Sequence, residues 1–250
     1  MLIDTHCHIH EADYPLDSEA VIVHAREAGV SQMICVGTSE DSSREALRFA
    51  VAHDDVFAAI GVHPHDSKDG LGEIARFAPA KEQKLIAIGE IGLDYFYSHS
   101  PRETQIAALE TQIQLALDHD LPVIFHVREA FTDFWPIFDN FHGIRGELHS
   151  FTDNEANLHE ALTRGLYIGV NGISTFTKDD AQKQMFAHIP LEKMLLETDA
   201  PFLTPTPFRG KVNEPAFVRN VAAFHANNRG ISLDELGRLT SANARALFAL

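Results

Sequence analysis

Apolar residues fall into eight short continuous runs, separated by stretches in which they recur every three or four positions. The runs are Leu2 to His8, Gln32 to Thr38, Val56 to Pro64, Leu85 to Asp94, Pro122 to Arg128, Ile144 to Phe151, Leu166 to Gly172 and Met194 to Pro201. Continuous rather than alternating apolar strands point to a parallel sheet covered by helices. Between the runs, Pro101 to His119 is the clearest helix, with Ile106, Leu109, Ile113 and Leu117 at three- and four-residue spacing. Pro101 sits at its start, where a missing amide proton costs nothing. Ser232 and Glu235 have the spacing of a capping box and announce the last helix. Eight such units close most simply into one α/β domain over residues 1–250, a single (β/α)8 or TIM barrel. A doubly wound open sheet is the rival, but the first strand-to-helix connection carries no glycine-rich phosphate fingerprint.

Composition narrows the picture further. With 45% hydrophobic and 22% charged residues, the chain reads as globular. No apolar run approaches the roughly 18 residues of a membrane span. The N-terminus enters a strand directly, with no basic and apolar leader, so a cytoplasmic setting without membrane attachment is expected. Cys7 and Cys35 both lie in apolar runs and read as reduced, buried thiols. The net charge of −16 argues against a broad grip on a phosphate backbone. Brief contact with a nucleic-acid end or short single strand is compatible with it, provided that metal ions and a few local cations supply the attraction. No basic-aromatic stripe marks a long single-strand track, and no obligate protein partner is evident.

The chemistry gathers at the ends of the strand-like runs. In the first run His6 and His8 point to one face with Asp4 behind them, while Thr5 and Cys7 point to the other. Two imidazoles on one face can share a metal ion, although an isolated pair of this kind could equally be surface or core histidines. Glu90, His126, His149 and Asp199 then fall late in, or at the end of, the fourth, fifth, sixth and eighth runs. In a barrel this is the C-terminal face, where catalytic groups sit. Nine other histidines lie on helix-like or loop segments, which makes the clustering at strand ends more informative. Four imidazoles and two carboxylates exceed the needs of one tetrahedral catalytic ion and suit two. Glu90 is the natural bridge, a hydroxide held between the ions the natural nucleophile, and Asp199 can orient that water and receive its proton. Imidazole-rich sites suit zinc, iron, nickel or, less ideally, manganese, whereas magnesium prefers oxygen, and the metal stays open.

Six strings in order resemble the TatD family of metal-dependent deoxyribonucleases, within the amidohydrolase-like barrels. They are DTHCH at 4–8, GVHPH at 61–65, GEIGLDY at 89–95, LPVIFHVREA at 121–130, LHSFT at 148–152 and ETDAP at 197–201. The resemblance covers essentially the whole chain. It implies a (β/α)8 fold, two divalent ions and phosphodiester hydrolysis on DNA, with DNA ends or short single-stranded DNA as substrate. It also implies that His6, His8, Glu90 and Asp199 hold one ion, and Glu90, His126 and His149 the other.

Substrate contacts are expected around these ligands. The family pattern suggests that His63 and His65 donate hydrogen bonds to a phosphate, although His63-Pro64-His65 could merely shape a loop. Asp94 could hold a ligand imidazole from behind, and Tyr95 stands beside it. Arg128 shares the strand face of His126 and is the best local cation for a scissile phosphate, or else pairs with Glu129 or Glu197. Arg209 and Lys211 resemble the family's basic loop ahead of Asn213 and Pro215, or are solvated loop charges. Two positions depart from the pattern: Asp153 stands where glycine is usual, and Ile106 replaces an arginine. Both bear on the substrate and leave the ligands intact. A metal-dependent hydrolase of a small ester, lactone or amide is the alternative, and a catalytically silent barrel would be expected to have lost ligands.

Overall fold

The computed structural model describes residues 1–78, 84–97 and 99–250. Eight strands alternate with helices and form one parallel sheet in sequence order, the (β/α)8 architecture. The strands are β1 (Leu2–Cys7), β2 (Val30–Val36), β3 (Val56–Ile60), β4 (Leu85–Asp94), β5 (Val123–Arg128), β6 (Gly146–Leu148), β7 (Tyr167–Val170) and β8 (Met194–Leu196). A parallel bridge between Cys7 and Ala200 brings the chain beyond β8 alongside the end of β1. By compactness the chain forms two units, one of Met1–Cys35 with Ser150–Leu250 and one of Val36–His149.

In the unit Val36–His149, β4 is the longest strand and is buried along nearly all its length. Its apolar side chains Ile88, Ile91 and Leu93 are fully buried, as are Phe125 of β5 and Phe134 of the helix that follows. Gly92 of β4 is in register with His126 of β5. Its φ of 156° is one that residues with a side chain rarely adopt, and a Cβ there would lie 1.8 Å from the His126 carbonyl oxygen. The helix α4 (Arg102–Asp118) starts where Pro101 predicts. Its buried face, however, is Gln105, Ala108, Leu109, Gln112, Ile113 and Ala116, with the expected Ile106 and Leu117 only half-buried on its flanks. The two glutamines face inward because strand-end backbone there needs partners. Gln112 accepts from the Val62 amide (2.7 Å) and donates to the Val62 carbonyl (3.1 Å). Gln105 does the same for Asp94, at 2.8 and 3.0 Å. One helix thus pins the chain ahead of His63 and the C-terminal end of β4.

In the other unit β1 is buried throughout, and pairs with β2 from Leu2↔Val30 to Cys7↔Cys35. The Asp4 carboxylate accepts from the Thr198 amide (2.8 Å) and hydroxyl (2.6 Å), tying β1 to the segment beyond β8. The last helix (Leu233–Phe248) begins with the Ser232 hydroxyl accepting from the Glu235 amide at 3.1 Å, as the capping spacing predicts. Two runs expected as strands are mostly not strand. Only three residues of Ile144–Phe151 and three of Met194–Pro201 are extended in the sheet. Beyond them Ser150 and Asp199 adopt the left-handed region, at φ 49° and 59°, turning the chain out of the sheet just where His149 and Asp199 are presented. Cys7 and Cys35 are buried and free. Among the described residues no helix is long and apolar enough to cross a membrane.

Candidate metal centre

Within the unit Val36–His149, Glu90 is the focus of three imidazoles. Its carboxylate Oε1 lies 2.8 Å from His126 Nδ1, 3.5 Å from His63 Nε2 and 3.7 Å from His149 Nε2. Glu90 and His126 project from neighbouring strands β4 and β5, while His63 and His149 follow the ends of β3 and β6. Behind His126 sits Asp94, whose Oδ2 accepts from His126 Nε2 and from His65 Nε2, each at 3.0 Å. Asp94 Oδ1 accepts in turn from the amides of Phe96 (3.0 Å) and Tyr97 (3.1 Å). With its Nε2 given to Asp94, His126 turns Nδ1 toward Glu90, and Nδ1 is the nitrogen that would face an ion.

Electrostatics of this cluster follow from the arrangement. Burial pulls the His126 pKa down, but hydrogen bonds to Asp94 and Glu90 lift it to about 8. Burial works upward on Asp94, yet the His126 hydrogen bond, the Tyr97 amide and the neighbouring imidazoles hold it well below the ordinary carboxylate range. Burial and the adjacent His126 push His63 well below the usual imidazole value. The His65 amide donates to His63 Nδ1 at 3.1 Å, so the neutral ring carries its proton on Nε2. That leaves His63 as a hydrogen-bond donor facing the site.

In the other unit, His6 Nε2 and His8 Nε2 lie 3.2 Å apart, and Asp199 Oδ1 is 3.8 and 3.4 Å from them. Backbone bonds fix the trio: the Asp199 amide donates to the His6 carbonyl (2.9 Å) and the His8 amide to the Ala200 carbonyl (2.8 Å). His6 and His8 face one side, as the alternation of β1 requires, with Asp4 behind them in its bond to Thr198. Asn213 donates to the Thr198 carbonyl at 2.8 Å and so anchors the proline-rich loop that follows.

Divalent metal fits these donors. Each unit offers imidazole nitrogens and a carboxylate oxygen that converge within a few ångströms, a set suited to zinc-like ions. The carboxylates of Glu90 and Asp94, both within hydrogen-bond distance of His126, favour positive charge between them, the influence that raises the His126 pKa. The family profile described as "TatD related DNase" matches residues 3–249. The chain belongs to the TatD family. It is 36% identical over 259 residues, covering all of both chains, to a protein named 3'-5' ssDNA/RNA exonuclease TatD in Erwinia tasmaniensis. It is 35% identical over 254 residues, again covering all of both, to the uncharacterized metal-dependent hydrolase YabD of Bacillus subtilis. Its fold resembles the crystal structure of the TatD homolog YJJV from Escherichia coli, with a TM-score of 0.91, 30% identity and coverage of 100% and 98% of the two chains. The protein is thus a TatD-type metal-dependent hydrolase.

The TatD-like positions read from the sequence fall into place unevenly. Glu90, His126, His149, His63, His65 and Asp94 come together in one unit, and His6, His8 and Asp199 in the other. Arg128 lies with its guanidinium over the rings of Phe96 (3.8 Å) and Tyr97 (5.1 Å). Tyr95 turns its hydroxyl to Asp133 (2.8 Å) and carries Arg102 over its ring. Arg209 donates to the Thr204 carbonyl (2.7 Å) within its own loop and rests on Phe176 (3.8 Å), the last residue of the helix Ile173–Phe176. Sequence reasoning did not find the two inward glutamines of α4 or the part played by Phe96 and Tyr97. A polar residue at a buried helical position was the available signal for the former.

Proposed function

We propose that this protein removes nucleotides from the ends of single-stranded DNA by phosphodiester hydrolysis, acting as one barrel domain over residues 1–250 with two divalent ions. The observation that carries the reading is Glu90, a buried carboxylate with three imidazole nitrogens within 3.7 Å of one oxygen. Relatives named as single-strand exonucleases add support. In this reading His6, His8, Glu90 and Asp199 would hold one ion, and Glu90, His126 and His149 the other. Divalent ions bound there would acidify a coordinated water and neutralise charge on the phosphate. Asp199 orients the attacking water and takes its proton. His63 donates from Nε2 to a non-bridging phosphate oxygen, His65 spends its Nε2 proton on Asp94 and so steadies that carboxylate, and Arg128 offsets the negative charge that grows on the phosphate oxygens. Asp94 keeps His126 in the tautomer that presents Nδ1. Zinc, nickel, manganese and magnesium are the ions to test, and buried reduced thiols suit a cytoplasmic setting.

The test is direct. Protein stripped of metal and then loaded with each ion is incubated with end-labelled single-stranded DNA, duplex DNA, RNA and a panel of small esters and lactones. Stepwise shortening of the single strand, lost on chelation and in Glu90→Gln and Asp199→Asn, is the expected result. Hydrolysis of an ester with no shortening of any nucleic acid would replace this reading with that of a small-molecule hydrolase.

A further inference from the structure

Phe96 and Tyr97 are neighbouring exposed aromatic rings, at 49% and 42%. They sit two and three residues beyond Asp94, the last residue of β4, and their position is not loose. Both of their amides donate to Asp94 Oδ1, while the other oxygen of that carboxylate holds His126 and His65. One side chain therefore sets both the candidate ligand His126 and the two rings. The rings are edge to face, with centroids 4.7 Å apart. His99, outside the strand-end cluster, lies nearly parallel to Tyr97 at 5.4 Å, and His65 meets both Tyr97 (5.3 Å) and His99 (4.6 Å). Arg128, two residues after His126, lays its guanidinium over both rings, at 3.8 Å from Phe96 and 5.1 Å from Tyr97.

We propose that Phe96, Tyr97 and His99, with Arg128 beside them, form a stacking shelf for one base of the nucleic-acid substrate, the base attached to the phosphate being cut. This rests on the nuclease reading and adds to it a base-binding subsite. The chemistry is that of single-strand binding without sequence preference: a π-face for any base, next to a cation for its phosphate. An acidic protein gains from such a site, because stacking supplies attraction that its net charge of −16 denies it over longer range. A single-base shelf is consistent with attack at an end. Buried leucines would have served packing equally well; half-exposed rings on a guanidinium offer a surface to a flat ligand.

The experiment pairs substrate and protein changes. The metal-loaded parent, the double variant Phe96→Leu with Tyr97→Leu, and Tyr97→Phe are compared on a short single strand and on the same strand with an abasic terminal residue. Binding is read separately from the fluorescence of a phosphorothioate-linked tetranucleotide carrying terminal 2-aminopurine, which stacking quenches. In the parent, loss of the base should raise KM about 5- to 150-fold, the span that one stacked base produces, with kcat little changed. The double leucine variant should show that same rise with the intact strand, no further penalty for the abasic strand, and no quenching. Tyr97→Phe should behave as the parent does. A parent that shortens DNA yet shows no quenching, or an abasic penalty equal in parent and double variant, overturns the shelf and leaves the nuclease reading standing. A parent that shortens neither strand sinks the nuclease reading, and the shelf as a subsite with it.

Discussion

Replacing Asp94 with Asn tests how the cluster around Glu90 is held. The carboxylate accepts four hydrogen bonds, two from imidazole Nε2 atoms at 3.0 Å and two from backbone amides at 3.0 and 3.1 Å. An asparagine oxygen can keep the two amide bonds, so the turn at Phe96 and Tyr97 should survive. Its amide group, however, brings protons to the place where His126 and His65 donate theirs. His126 can meet it only by moving its proton to Nδ1, the nitrogen beside Glu90 that a metal needs bare. Loss of such a partner typically weakens metal affinity by about 10- to 100-fold, or about 1.4–2.7 kcal/mol. The negative charge that lifts His126 to about 8 is also gone, so its pKa should fall. Titration of stripped protein with zinc or nickel against a chromophoric competitor measures the first effect, and the His126 ring shifts in nuclear magnetic resonance the second. Circular dichroism checks the fold. If the variant is folded, binds metal within about twofold of the parent and keeps His126 protonated on Nε2, then Asp94 does not act through that ring.

Other consequences are open to simpler measurements. Chelation should abolish hydrolysis and readdition of the ion restore it; activity that survives dialysis against a strong chelator contradicts a metal-dependent step. Gln112→Leu leaves the Val62 amide and carbonyl inside the protein without their partner, and urea denaturation should register a loss of about 2–6 kcal/mol. Gly92→Ala forces a Cβ against the His126 carbonyl, so soluble yield or the unfolding midpoint should fall more than for a glycine-to-alanine change at Gly143, where nothing lies within 4 Å. His225 supplies a pH test away from the metal cluster. Burial, with Arg229 nearby, lowers its pKa from 6.5 to about 3, and its Nε2 lies 2.9 Å from the Ser174 hydroxyl. A depressed histidine pKa means that the unfolded chain binds the extra proton between pH 3 and 6.5. Its contribution is therefore complete above pH 6.5 and is lost as the pH falls, by about 2 kcal/mol at pH 5. His225→Gln should shrink the stability difference between pH 7.5 and pH 5 by about that amount; an unchanged difference would mean that the ring titrates normally.

Much of the architecture was legible in the order of residues alone. Runs of apolar residues are buried on both sides only in a covered parallel sheet, so eight of them separated by helical periodicity limit the fold to a barrel or a doubly wound sheet. His6 and His8 share a face because strand side chains alternate, and the clustering of Glu90, His126, His149 and Asp199 near strand ends follows from the same pattern. Local chemistry, such as the Ser232 cap and Pro101 at the start of α4, was readable because its cause lies within a few residues.

Other features depended on contacts between distant segments. Gln105 and Gln112 occupy buried helical positions because Asp94 and Val62 present backbone groups to them, a demand invisible in the periodicity of α4. Asp199 is aimed by a left-handed backbone and by bonds to the end of β1, neither of which a pattern of apolar residues encodes. Whether Arg128 would face a phosphate or pair with a carboxylate was undecided along the chain, and the fold places its guanidinium on the rings of Phe96 and Tyr97. Sequence thus determined which imidazoles and carboxylates lie at or just beyond the C-terminal ends of which strands, since that is a matter of alternation and burial. Only the tertiary structure decided which nitrogen each imidazole presents, because a ring's orientation is set by a partner many residues away, as Asp94 sets His126.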